Sequence, residues 1–259
     1  MDLEREYSPS SVAGGSSAPF EAQYRRLSAA ARDAVGDRIV TLAGGTQLVQ
    51  AQQADAPLMI FVHGGYWQAL SAADSMFPAA ELAASGWSYA SVEYTLAPKS
   101  TLPTMVGECV QALIELAAYR RGRVVLVGHS AGAHLVAMAA LAQRPPLHID
   151  TMLLISGIYD LRPLLSTSVN DALGLDLRRA TALSPMLQVA QPGPQVTVAW
   201  GEVETDEFKR QSRDYAAHLD GHGVAVETLE CVGRNHFDVV FGLTDPRSLL
   251  ARAILTEAV

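Results

Sequence analysis

The chain has 259 residues, 49% of them apolar and 18% charged, which fits one large α/β domain or two small ones and allows a sizeable core. A net charge of −8 with no Lys/Arg block argues against nucleic acid or an anionic membrane surface as the main partner, since either would call for a basic footprint. The charged start MDLEREYSPSS has no apolar run behind it, and the longest apolar block, LVAMAALA (135–142), falls far short of a membrane span; a cytoplasmic protein without a secretory leader is expected.

In chain order, SPSSVAGGSSAP (8–19) is rich in Ser, Gly and Pro and reads as a flexible arm, and 20–34 reads as an Ala/Arg-rich helix. From about residue 37, strand-like runs alternate with helical patterns. The strand candidates are LVQAQ (48–52), PLMIFV (57–62), SYASVEY (88–94), RVVLVG (123–128), TMLLIS (151–156), QVTVAWG (195–201) and VAVETLEC (224–231). Short, continuous apolar runs such as VVLV suit strands covered on both faces, as in a parallel sheet flanked by helices. Helices are expected near 73–85, 104–119, 131–143, 205–220 and 245–257, the last introduced by the capping signal TDP. Residues 157–194 carry turn signals and no strand pattern, as a lid-like insertion would. With no linker to divide it, the chain reads as a single doubly wound α/β domain over 1–259, residues 1–34 forming an N-terminal arm and helix. Cys109 and Cys231 fall in a predicted helix and strand and read as reduced core residues.

VVLVGHSAGAHL places Gly128-His129-Ser130-Ala131-Gly132 between a buried strand and a helix. A serine on such a tight strand-to-helix turn presents its Oγ as a nucleophile, beside backbone N–H groups and the positive end of the helix. The plainer alternative is a capping serine in a Gly-rich turn. IFVHGGYW (60–67) follows an earlier strand, and Gly64 and Gly65 let the backbone turn sharply and aim N–H groups at a carbonyl oxygen. In α/β hydrolases a loop of this type forms one side of the oxyanion hole, and the residue after the nucleophile, here Ala131, forms the other. His63 reads as a residue that orders this loop and not as a base. No His or Cys pair stands at metal-ligand spacing, so no metal is expected.

The same fold requires the order Ser, then Asp or Glu, then His. His148, His218 and His222 sit before a strand or in the helix before the last strand; His236, in VGRNHFDVV, follows the last strand and is the expected base. The acid should project from the loop after QVTVAWG, which is EVETDE. Position alone does not choose among Glu202, Glu204 and Asp206; Glu207 reads as a first-turn acid of the next helix, and Asp160 is an outside candidate.

These pieces together resemble the kynurenine formamidase (arylformamidase) branch of the α/β-hydrolase fold. The matching segments are HGGYW (63–67), EYTLAP (93–98), GHSAGAHL (128–135), SGIYDL (156–161), SP (184–185), GEVETDEFKRQS (201–212) and NHFD (235–238), and the start EYSPS resembles the family's N-terminal arm. HGGYW and GHSAG are shared with many esterases; the combination with the other segments is more specific. The resemblance puts the acid on Glu204, three residues after Gly201 and before the EF pair. It implies a mostly parallel central sheet with helices on both faces, and hydrolysis of N-formyl-L-kynurenine to L-kynurenine and formate in tryptophan breakdown. The route is a Ser130–Glu204–His236 triad and a formyl-enzyme, with no cofactor. Tyr66, Trp67, Tyr159 and Phe237 are expected to frame the aryl ring. The expected partner is a small aryl formamide or small ester, with neither nucleic acid nor membrane; a homodimer is left open. The alternatives are a carboxylesterase with the same triad and a non-catalytic binding protein on this scaffold.

Overall fold

The structure, a computed structural model, describes residues 2–141, 147–191 and 193–255. In chain order its main elements are α1 (Leu3–Glu6), α2 (Ala18–Val35), β1 (Ile39–Thr41), β2 (Gln47–Val49), β3 (Leu58–Val62), α3 (Ala79–Ala84), β4 (Ser88–Val92) and α4 (Leu102–Ala117). There follow β5 (Val124–His129), α5 (Ala131–Leu141), β6 (Thr151–Ile155), α6 (Asn170–Leu173), α7 (Leu177–Ala182), β7 (Gln195–Val203), α8 (Asp206–Gly221), β8 (Val226–Asn235) and α9 (Leu249–Leu255).

The eight strands form one sheet in the order β1-β2-β4-β3-β5-β6-β7-β8. The pairs β1–β2 and β2–β4 are antiparallel, and all pairs from β4 to β8 are parallel. The continuous apolar runs are explained by cover on both faces. Leu58, Ile60 and Val62 of β3 join the core beneath α4, α5 and α8, while Met59 and Phe61 join the core beneath α2, α3 and α9. Each such side chain contributes roughly 1.5–3 kcal/mol of burial. Because β3 and β5 to β8 run parallel, the loops leaving them emerge at one edge of the sheet, where such folds place their sites. The register sets Val62 beside Gly128, His129 beside Ile155, and Ile155 beside Ala199. An irregularity between Gly201 and Val203 then breaks the β7–β8 ladder just before Glu204.

Several expected elements have other bounds. LVQAQ pairs over Gln47–Val49 only, in an antiparallel hairpin with β1, a strand too short to show a sequence pattern. The 73–85 helix divides into a 3-10 turn at Ala73–Ser75 and α3, with Pro78 at the break. The last strand runs on to Asn235, so His236 follows it directly. The helix expected to start at 245 starts at Leu249; its end at 256–257, and positions 142–143 of the 131–143 helix, lie outside the described residues. Within the arm at 8–19, expected as free chain, Pro9–Val12 form a 3-10 turn with Pro9 buried, while most of residues 11–19 are exposed. The insertion folds into short helices, with Leu164 and Ala180 buried. Cys109 and Cys231 are free and buried.

Besides His236, three histidines are buried: His63 after β3, His129 at the end of β5 and His134 in α5. Burial lowers them from 6.5 to about 4, about 3 and about 4 respectively. They stay neutral in the fold and take protons in the unfolded chain below about pH 6.5, so the unfolded state binds more protons and stability falls as pH drops from about 6.5 towards 4. At about pH 5 the loss is expected to approach about 2 kcal/mol per histidine. Thermal melts between about pH 7.5 and pH 5 check this; an unchanged melting temperature contradicts it.

Candidate active site

Ser130 stands between β5 and α5 in the left-handed region, at φ 55°. Its N–H donates to the Ile155 carbonyl at 2.8 Å, anchoring the turn to the neighbouring strand. The turn is possible only with glycine at Gly132, where a Cβ would lie 2.0 Å from the Val62 carbonyl oxygen. This contact also brings the loop after β3 against the serine: a Cβ on Gly64 would lie 2.9 Å from Ser130 Cβ.

His236 sits over Ser130, its Nε2 3.0 Å from Ser130 Oγ and its Nδ1 3.1 Å from Glu204 Oε2. The imidazole is placed from three sides. Its backbone carbonyl accepts from His129 Nε2 at 2.8 Å, Phe208 packs edge-on at 4.5 Å, and Glu204 lies below. Glu204 is buried, and its other oxygen, Oε1, accepts from Ser156 Oγ and from the Gly201 N–H, each at 2.6 Å. Three bonds thus fix a carboxylate whose position the broken β7–β8 ladder sets.

The competing carboxylates go elsewhere. Glu202 accepts from the Gly233 N–H, Asp206 is exposed beside Lys209, and Asp160 pairs with Arg162. Glu207, expected only as a first-turn acid, is buried. It takes two bonds of 2.8 Å from Arg210, which hold its carboxyl below the ordinary range, and one of 2.8 Å from the Tyr7 hydroxyl. His63 serves its loop: it stacks on Tyr94, whose hydroxyl bonds the carbonyls of His63 and Gly64.

Ser130 and His236 open into a cavity of about 320 Å³. Gly65, Tyr66 and Phe237 line it, the last stacked on Phe20 at 4.6 Å. Trp67 and Tyr159 do not. Trp67, at φ 60°, turns into the core and meets His134 edge-on, and Tyr159 lies under Gly157 stacked on Tyr215 at 4.0 Å. In place of these two the wall is built by the N-terminal segment, with Tyr7, Ser8, Pro9 and Tyr24. The EYSPS start was the one available hint, and it carried no sign of where the segment docks. Among the described residues no cluster of His, Cys, Asp or Glu is placed to hold a metal, and no helix is long and apolar enough to cross a membrane.

A family model described as the alpha/beta hydrolase fold matches residues 59–239. The chain is 34% identical to the kynurenine formamidase of Danio rerio over 220 residues, 80% of this chain and 75% of the relative. It is 26% identical to the esterase LipQ of Mycobacterium tuberculosis, over 77% of this chain and 54% of the relative. A crystal structure from Silicibacter sp. TM1040, provisionally described as a thioesterase, superposes with a TM-score of 0.89 at 29% identity, over 99% of this chain and 100% of that one.

Gly132→Ala should collapse the serine turn, since the Val62 carbonyl cannot move out of the sheet; a loss of at least about 3 kcal/mol, or failure to fold, is expected in chemical denaturation. Gly107→Ala, in an exposed turn of α4 with open space at Cβ, should instead gain about 0.5–1 kcal/mol.

Proposed function

The chain belongs to the kynurenine formamidase branch of the alpha/beta hydrolase family, and we propose that this hydrolase cleaves an aryl formamide, with N-formyl-L-kynurenine as the substrate and L-kynurenine and formate as products. The observation that carries the reading is the Glu204–His236–Ser130 relay at the base of an aromatic-walled cavity.

In this scheme His236 Nε2 takes the Ser130 proton as Oγ attacks the formyl carbon. The N–H groups of Gly64, Gly65 and Ala131 hold the oxyanion, an effect of roughly 3–4 kcal/mol per donor in comparable sites. His236, now charged, protonates the departing aniline nitrogen, and water then cleaves the formyl-enzyme by the same steps in reverse roles. Glu204 keeps the imidazole in the tautomer with its proton on Nδ1 and stabilises the imidazolium. An arylamine leaves more readily than an alkylamine, which suits an anilide. Tyr66 and Phe237 flank the aryl ring, and Glu4 and Glu21, both carboxylates on the cavity, complement a substrate ammonium.

Ser130→Ala is expected to abolish turnover and fluorophosphonate labelling with the fold retained; full activity in that variant would sink the mechanism, and an unlabelled wild type would favour a binding protein. Glu204→Gln should lower kcat by at least about 10³-fold, against little change for Asp206→Asn; a larger loss in the second would move the acid. The kcat/KM ratio for N-formyl-L-kynurenine against p-nitrophenyl acetate decides the substrate class, and a ratio favouring the ester assigns a carboxylesterase.

A further inference from the structure

The loop carrying Gly64 and Gly65 continues through residues that rarely adopt its conformation. Tyr66 at φ 52°, Trp67 at φ 60° and Leu70 at φ 70° all lie in the left-handed region. Such a run persists only where its surroundings over-determine it. One anchor is Trp67, buried against His134, with its carbonyl accepting from the Ala97 N–H at 2.8 Å. The other comes from the N-terminal segment: the Tyr66 hydroxyl donates to the backbone carbonyl of Tyr7.

Tyr7 is a firm point to bond to. It is fully buried, its hydroxyl donates to Glu207 Oε2 and accepts from Gln211 Nε2, both at 2.8 Å, and its ring packs on Phe208, which packs on His236. α1 is clamped beside it. The Glu6 carbonyl accepts from Thr205 Oγ1 at 2.6 Å, next to the Glu204 position, and Glu4 accepts from the Ser168 N–H at 2.8 Å.

We propose that residues 2–10 brace the oxyanion loop, and that the Tyr66–Tyr7 bond holds the N–H groups of Gly64 and Gly65 in the orientation that the developing oxyanion requires. Tyr66 is then a positioning residue, and the N-terminal segment is a working part of the site and more than its wall. The inference rests on the reading of Gly64 and Gly65 as oxyanion donors. The oxyanion is absent from the bound substrate and forms only in the tetrahedral intermediate and the transition states that flank it, so loosening its donors lowers kcat and spares KM. A segment that merely walled the cavity would act on KM.

The test is a cycle of four proteins: wild type, Tyr66→Phe, the chain lacking residues 2–10, and the two changes combined. Each is assayed on N-formyl-L-kynurenine and on p-nitrophenyl acetate. Tyr66→Phe keeps the ring and removes the bond; it should lower kcat about tenfold on both substrates, equivalent to about 1.4 kcal/mol, with KM changed by less than about twofold. The deletion should lower kcat at least as far, and adding Tyr66→Phe to it should cost nothing more. An unchanged kcat in Tyr66→Phe overturns the brace, as do losses that multiply in the combined protein. In Tyr66→Phe, which keeps the ring against the substrate, a KM rise confined to the formamide assigns the hydroxyl to substrate contact and overturns the brace too. If the shortened chain does not fold, Tyr66→Phe decides by the same criteria. If the wild type turns over neither substrate, the functional reading fails separately. The brace is then read from Ser130 labelling by a fluorophosphonate, which Tyr66→Phe should slow about tenfold.

Discussion

The approach of the β5–α5 turn to the end of β3 is the constraint on which the site depends. Where Gly132 passes the Val62 carbonyl, no side chain fits, and this closeness lets two separate loops share one point in space. The serine turn is held in a left-handed conformation by its bond to Ile155, and the Gly64–Gly65 loop is pressed against Ser130 from the other side. A parallel sheet makes this possible, because its loops leave from one edge and neighbouring strands bring them within reach.

Glu204 and His236 are positioned by the last two strands, β7 and β8. The β7–β8 ladder loses its register after Gly201, and the released chain carries Glu204 back beneath β8's final residue, where Gly201's own N–H and Ser156 hold it. The carboxylate then meets His236 with no freedom left to reach water. Burying a charged group this way is tolerable because every oxygen is bonded. Neighbouring carboxylates only two or three positions away are drawn to surface lysine, to a backbone amide or to Arg210, so a dense acidic segment contains one residue that serves the histidine.

The N-terminal segment joins these parts. Tyr7 bonds to α8 at Glu207 and Gln211 and to the loop after β3 through Tyr66, so the first ten residues touch both sides of the site. That arrangement explains why Glu207, which the helix start alone would leave in solvent, is buried: its partner lies 200 positions earlier in the chain.

What the amino-acid order determined by itself was local or ordered along the chain. The strand–turn–helix around Ser130 is a motif of adjacent residues, the alternation of apolar strands and helices specifies a parallel sheet, and the requirement for acid and then base after the serine leads to the 202–207 loop and to His236. Family resemblance was needed to single out Glu204, since spacing treats Glu202, Glu204 and Asp206 alike. Tertiary structure decided the direction of side chains in irregular loops and every contact between distant segments. An aromatic residue in a loop has no periodicity to say which way it faces, so Trp67 and Tyr159 could be read as walls when positive φ at one and stacking on Tyr215 at the other turn both inward. The cavity wall at Tyr7 to Pro9 was unreadable for a second reason: a Ser/Gly/Pro-rich arm is ordered only by the surface it meets, and that surface is assembled from α8 and the loop after β3 when the sheet forms.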